Sequence, residues 1–115
     1  MPAVPLSLHR THQELVFTSG LLGPEPDGTF SPSFGRQMEL ALETLETCLA
    51  SAGASLQSVL KTTVFIVDRG DFPEMNEIYE RRFPQPWPAR STIVTDLTLP
   101  DLLFEIEAIA YRVDG

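Results

Sequence analysis

The chain has 115 residues, a formal net charge of −8 and one cysteine, Cys48. That length suits a single domain over residues 1–115 with one core, and a hydrophobic content of 43% is ordinary for a globular protein. One cysteine excludes an intramolecular disulfide, an acidic chain repels phosphate backbones, and no apolar run is long enough for a membrane-spanning helix. Met1-Pro2-Ala3-Val4 lacks the charged and apolar regions of a signal peptide, so a reducing cytoplasm is the expected compartment. The basic residues are scattered, Arg81-Arg82 being the only adjacent pair, so no nucleic-acid partner is expected.

Val4 to His9 alternates weakly and predicts a first strand, with a turn at Gln13-Glu14. Leu15-Val16-Phe17-Thr18-Ser19 predicts a second strand that stops at Gly20. Gly23 to Gly28 is dense in turn formers and predicts an exposed, solvated loop. Met38, Ala41, Leu42, Leu45, Cys48, Leu49 and Ala52 fall on one face of a helix, with Glu39, Glu43, Glu46 and Thr47 away from it. Ser33 is the expected N-cap, and Gly53 suits the left-handed position after the last turn. Cys48 lies on the apolar stripe and reads as core packing.

Val59 to Val67 predicts a strand, rich in β-branched and aromatic residues. Lys61, the only lysine, admits a Schiff-base reading, but pairing with an acid or a place at a strand end is the plainer one. Asp71, Pro73 and Glu74 predict a helix start with a capping box, followed by a buried stripe of Phe72, Met75, Tyr79 and Phe83. Pro84 to Pro88 ends that helix and holds the chain extended into Arg90. Trp87 either walls a cleft or covers the core. A last strand is predicted from Leu103 to about Val113. Strand, strand, helix, strand, helix, strand, strand fits an α+β fold: a single mixed sheet with both helices on one face.

The chemistry-bearing residues cluster late. Arg90 opens the run Ser91 to Val94, and a guanidinium grips a carboxylate bidentately. Glu105 and Glu107 alternate with Phe104, Ile106 and Ala108, so both acids share one sheet face. Either could activate a water, and Gly20 lets a ligand approach the backbone near Ser19. The plainer alternative is that Arg90 pairs with a glutamate and pins the sheet. His9 and His12 form a loose His-x-x-His on an expected turn, with no third ligand patterned, so no metal site is expected.

Pro88-Ala89-Arg90-Ser91 followed by Glu105 to Ala110 resembles the Rid (YjgF) family of reactive-intermediate deaminases. The resemblance extends upstream through Phe17 to Gly20, Ala52-Gly53, Val59 to Phe65, Asp71-Phe72, Asn76 and Tyr79, in order. It implies a chorismate-mutase-like fold and hydrolysis of enamine or imine acids, such as 2-aminoacrylate, to 2-oxo acids and ammonia. By position, Arg90 clamps the substrate carboxylate, Glu105 positions the attacking water, Gly20 and Ser19 offer backbone contact, and Asn76 lines the cleft. It further implies no cofactor, and a homotrimer with clefts between subunits. Independently, the last strand is apolar on both sides, with Ile109, Tyr111 and Val113 on the face that two helices cannot cover. Three positions depart from the family pattern. Leu6 stands where a site tyrosine is expected, Thr92 where cysteine is frequent, and Leu21 where glutamine is frequent. They make the expected pocket wall more apolar. A non-catalytic carrier of small carboxylates, a ribonuclease and a chorismate mutase remain as other readings; for the mutase, one arginine is few for a dianionic substrate.

Overall fold

The computed structural model describes residues 4–113. Residues 1–3, part of the stretch read for a signal peptide, lie outside it, as do residues 114–115. The strands are β1 (His9–His12), β2 (Leu15–Thr18), β3 (Val59–Ile66), β4 (Ala89–Val94) and β5 (Phe104–Tyr111). Helix α1 (Phe34–Ser51) joins β2 to β3, and α2 (Phe72–Arg82) joins β3 to β4. One sheet runs in the order β1-β2-β5-β3-β4. Only β3 and β4 are parallel, so the sheet is mixed, as expected. A parallel pair needs a crossover, which α2 supplies.

The first strand lies later than its pattern predicts. Gln13 adopts φ 54 in a tight turn, and the four residues before that turn pair with the four after it, from His12↔Leu15 to His9↔Thr18. The turn therefore sets the strand at His9–His12, and Val4 to Leu8 stays outside the sheet. His9 and His12 stand on a strand rather than on a turn.

The first helix matches its pattern. The Ser33 hydroxyl accepts from the Arg36 amide at 3.3 Å, and Gly53 closes the far end at φ 81. The second does not start as predicted. The chain enters α2 through a short 3-10 turn over Arg69–Asp71, capped by Asp68, which accepts from the Gly70 amide at 2.7 Å. Asp71 is already helical in φ and ψ, so its carboxylate caps nothing and no box forms.

One cluster of buried side chains joins both helices to one face of the sheet. Met38, Leu42, Leu45 and Leu49 from α1 and Met75 and Ile78 from α2 meet Val64, Ile66, Phe104 and Ile106. Gln37 is buried among them, its amide donating to the Ser31 and Asp101 carbonyls at 2.7 and 2.8 Å. Its oxygen accepts from the Leu103 amide at 2.9 Å, which fixes the entry into β5. The loop acid Glu25 is not merely solvated: Arg36 grips it with two bonds of 2.9 Å. No helix among the described residues is long and apolar enough to cross a membrane.

The other sheet face carries Phe17, Phe65 and Ile109 beside Lys61, Thr63, Glu105 and Glu107. Among the described residues no layer covers it, and Phe17 and Tyr111 are each 40% exposed.

Candidate active site

Strand register decides where the two central residues point. Arg90 pairs with Thr62 and Thr92 with Val64 across the parallel ladder, and both partners are buried beneath the helices. Side-by-side residues share a face, so Arg90 and Thr92 lie on the helix side of the edge strand β4. Glu105 pairs with Phe65 and Glu107 with Thr63, in alternation with the buried Phe104, Ile106 and Ala108. Both acids therefore occupy the open face. One chain does not bring Arg90 and Glu105 together, and within the chain the reading in which Arg90 pairs with a glutamate to pin the sheet does not hold. Among the described residues Arg90 has no carboxylate at ion-pair distance.

The Arg90 half is walled from its own chain. A cavity of about 520 Å³ is lined by Asn76, Glu77, Tyr79, Glu80, Trp87, Pro88 and Arg90. The Arg90 guanidinium carbon lies 4.8 Å from the Tyr79 ring centre and 5.8 Å from that of Phe72. Phe72 is thus not buried in the stripe but 40% exposed beneath the arginine. Ile78 takes its place in the core. Trp87 is half-exposed on the cavity wall, which decides between its two readings in favour of the wall. Burial pushes the Tyr79 phenol above its ordinary pKa, opposed by its bond to Thr62 and by the charge of Arg90.

The Glu105 half lies on bare sheet. Partial burial raises the Glu105 pKa, and the neighbouring Glu107 charge raises it further. A carboxylate so placed holds a proton more readily than one in water, which suits a general base. Gly20 packs against it so closely that a Cβ there would collide with the carboxylate. The Ser19 amide donates to the Leu8 carbonyl at 2.9 Å and its hydroxyl to the Ser7 carbonyl at 2.5 Å. Ser19 is therefore engaged by its own chain through both its amide and its hydroxyl. Leu6, 58% exposed, borders an open cavity of about 530 Å³ with Ser19, Phe17 and Arg10. Leu21 does not line the site: it bridges to Ile106 and buries its side chain in the core.

Other candidates fall away. Lys61 sits mid-strand on the open face, in a cavity of about 140 Å³ with Thr63 and Glu107, not at a strand end and without an ion pair among the described residues. Cys48 is buried as expected, and burial pushes its thiol pKa up, away from reactivity. No group of three metal-ligating side chains exists among the described residues. Arg82 binds Glu39 and Glu46 on α1, and Arg81 reaches Glu39 at 3.4 Å, so the one basic pair ties helix to helix. Glu39 accordingly does not lie idle on the far face of α1. Another cavity, about 720 Å³ between α1 and Leu8-His9, contains neither Arg90 nor Glu105.

Sequence reasoning placed Tyr79 and Phe72 in a hydrophobic stripe and missed their contact with Arg90. The signal was available. A helix that connects two parallel strands packs back on the sheet, so its inward face comes within reach of the strand that follows.

A family model described as "Endoribonuclease L-PSP" matches residues 1–112. The chain belongs to the Rid (YjgF) family. A chloroplastic Arabidopsis thaliana protein named Reactive Intermediate Deaminase A is 43% identical over 98 residues, 84% of this chain. This Rid chain spans about half, 52%, of that relative's length. RutC family protein UK114 of Drosophila melanogaster is 37% identical over 111 residues, covering 95% of this chain and 80% of the relative. The crystal structure of RidA from the Antarctic bacterium Psychrobacter superposes with a TM-score of 0.88 at 28% identity, covering 96% of this chain and 91% of the other. The chorismate-mutase-like Rid fold expected from the sequence is therefore the fold of this chain.

Proposed function

We propose that this Rid protein hydrolyses reactive enamine and imine acids, of the 2-aminoacrylate, 2-iminopropanoate or 2-iminobutanoate type, to 2-oxo acids and ammonia. One observation carries the reading: a guanidinium without an ion pair among the described residues, lining a cavity, and a carboxylate of raised pKa against a glycine, on opposite faces of one sheet. Each half suits one part of the reaction, and the two can meet only between copies. The name of one relative, Reactive Intermediate Deaminase A, supports deamination.

The Arg90 fork binds the substrate carboxylate. An enamine first tautomerises to the imine, its methylene carbon gaining a proton as its amino nitrogen loses one. Glu105 then takes a proton from water as the water oxygen bonds to the imine carbon, and the C=N electron pair moves to nitrogen. The proton held by Glu105 passes to that nitrogen. The C–N bond then breaks as the hydroxyl oxygen forms the C=O bond, and the hydroxyl proton leaves with ammonia. An imine carbon is already electrophilic, so orientation and charge stabilisation suffice and no cofactor is invoked.

The working form on this reading is a homotrimer. The uncovered sheet face of one copy, with Glu105, Gly20 and Leu6, meets the β4 edge of the next, with Arg90 and Thr92 and with Asn76 of α2 beside them. Covering that half-apolar face removes exposed Phe17 and Tyr111 from water, and closed symmetry keeps the assembly finite. A reducing compartment, the cytoplasm, suits the single buried thiol.

The test is a coupled assay in which an amino-acid lyase releases 2-aminoacrylate and the 2-oxo acid is followed. Accelerated oxo-acid formation is expected. Carboxylate binding without acceleration would favour a carrier instead. Strong, salt-sensitive RNA binding would favour a ribonuclease, which the net charge of −8 and the engaged Arg81-Arg82 pair oppose.

A further inference from the structure

We propose that Tyr79 is the positioning residue for Arg90, its ring serving as a platform that Thr62 holds in place. The inference rests on reading Arg90 as the carboxylate clamp. An arginine on an edge strand has several free torsions, and a clamp that must first be ordered loses affinity. A cation over an aromatic face within about 6 Å is attracted to it. Here the guanidinium carbon sits 4.8 Å from the Tyr79 ring centre, closer than the 5.8 Å to half-exposed Phe72.

The ring is itself held on two sides. It stacks on Phe83 with centroids 4.3 Å apart and planes 25° apart, and Tyr79 is only 5% exposed. Its hydroxyl shares a buried hydrogen bond of 2.7 Å with the Thr62 hydroxyl. Thr62 is also the ladder partner of Arg90 across the parallel pair. One residue of β3 thus references both the backbone of the arginine and the platform beneath its head. Because the phenol oxygen is spent on Thr62, Tyr79 does not replace the phenol missing at Leu6. It acts through Arg90.

Tyr79→Leu removes the platform, Tyr79→Phe keeps the ring and loses the tether, and Thr62→Val loses the tether alone. Two readouts are taken on the full chain: KM and kcat for 2-iminobutanoate generated in situ, and the Arg90 Nε–H resonance in nitrogen-15 NMR. Tyr79→Leu should raise KM about tenfold with a smaller change in kcat, and should abolish the ring-current displacement of the Arg90 signal. Tyr79→Phe should restore the displacement and most of the KM. Thr62→Val should raise KM about twofold and broaden the signal, and Thr62→Val with Tyr79→Phe should be no worse than either alone, since both remove one bond. An unmoved Arg90 resonance and unmoved KM in Tyr79→Leu would overturn the proposal. If Tyr79→Leu does not fold, an unbroadened Arg90 signal in Thr62→Val overturns it. A wild-type protein that turns over no imine defeats the deaminase reading, while the resonance still decides the role of Tyr79.

Discussion

Arg90 and Glu105 lie on one sheet, yet they are held in opposite ways. Arg90 projects to the helix side, where α2 places Tyr79, Phe72 and Asn76 around it and the proline-rich segment adds Trp87. These residues all belong to one chain. Glu105 projects to the bare face, with Gly20 at its side and no layer above it. The arginine half is lined by side chains of one chain, whereas among the described residues no element lies over the glutamate half. The difference separates what folding supplies from what the proposed assembly would supply.

Substitutions sharpen that contrast. Glu105→Gln should have the largest effect, lowering kcat by about 10²–10⁴-fold while weakening carboxylate binding far less, since an amide keeps the shape but takes no proton. Glu107→Gln, on the same face, is the control; loss of activity there and not at Glu105 would move the base by one strand repeat. Arg90→Ala should lower kcat/KM by about a hundredfold or more with the fold intact by circular dichroism, and near wild-type turnover would break the clamp assignment. Arg90→Lys should rescue poorly, because an ammonium lacks the planar fork.

Smaller effects probe the glycine and the proton. Gly20→Ala should push the Glu105 carboxylate aside and cost about tenfold in kcat, with little change in carboxylate binding at the other half. The acid limb of kcat/KM should be shifted upward from that of an ordinary glutamate, because burial and Glu107 raise the Glu105 pKa. The same shift sets a sign for stability. A carboxyl whose folded pKa is raised favours the fold while protonated, and that contribution is lost as pH rises through the folded pKa. Glu105→Gln should therefore raise the melting temperature slightly at neutral pH, with the gain vanishing below about pH 4. A gain that persists in acid would mean the raised pKa is not its source.

Much of the architecture was legible because it is written in local patterns. The period of α1, its Ser33 cap and Gly53 stop, and the alternation around Glu105 and Glu107 are read along the chain without knowing its partners. What failed depends on partners. The bounds of β1 are set by a turn and by β2, and the expected cap at Asp71 is displaced by a 3-10 turn that no spacing announces. Leu21 reads as a pocket residue until its bridge to Ile106 turns it into the core. Arg90 and Glu105 were found by motif, but their opposite faces follow from the pairing of β4 with β3 and of β3 with β5, a long-range register. Tyr79 was legible as buried and illegible as the support of Arg90, since that requires knowing that α2 crosses back onto the sheet.

The central claim is that one copy supplies Arg90 and another Glu105 to each cleft. Complementation tests it most directly. Arg90→Ala and Glu105→Gln chains, each inactive alone, are mixed in equal amounts, dissociated and reassembled, and assayed with 2-aminoacrylate. Random reassembly into trimers puts an intact Arg90 opposite an intact Glu105 in about a quarter of the clefts, so about a quarter of the wild-type activity should return. If the mixture stays as inactive as its components, while wild-type chains taken through the same cycle regain full activity, the two residues do not act across copies and the account is contradicted.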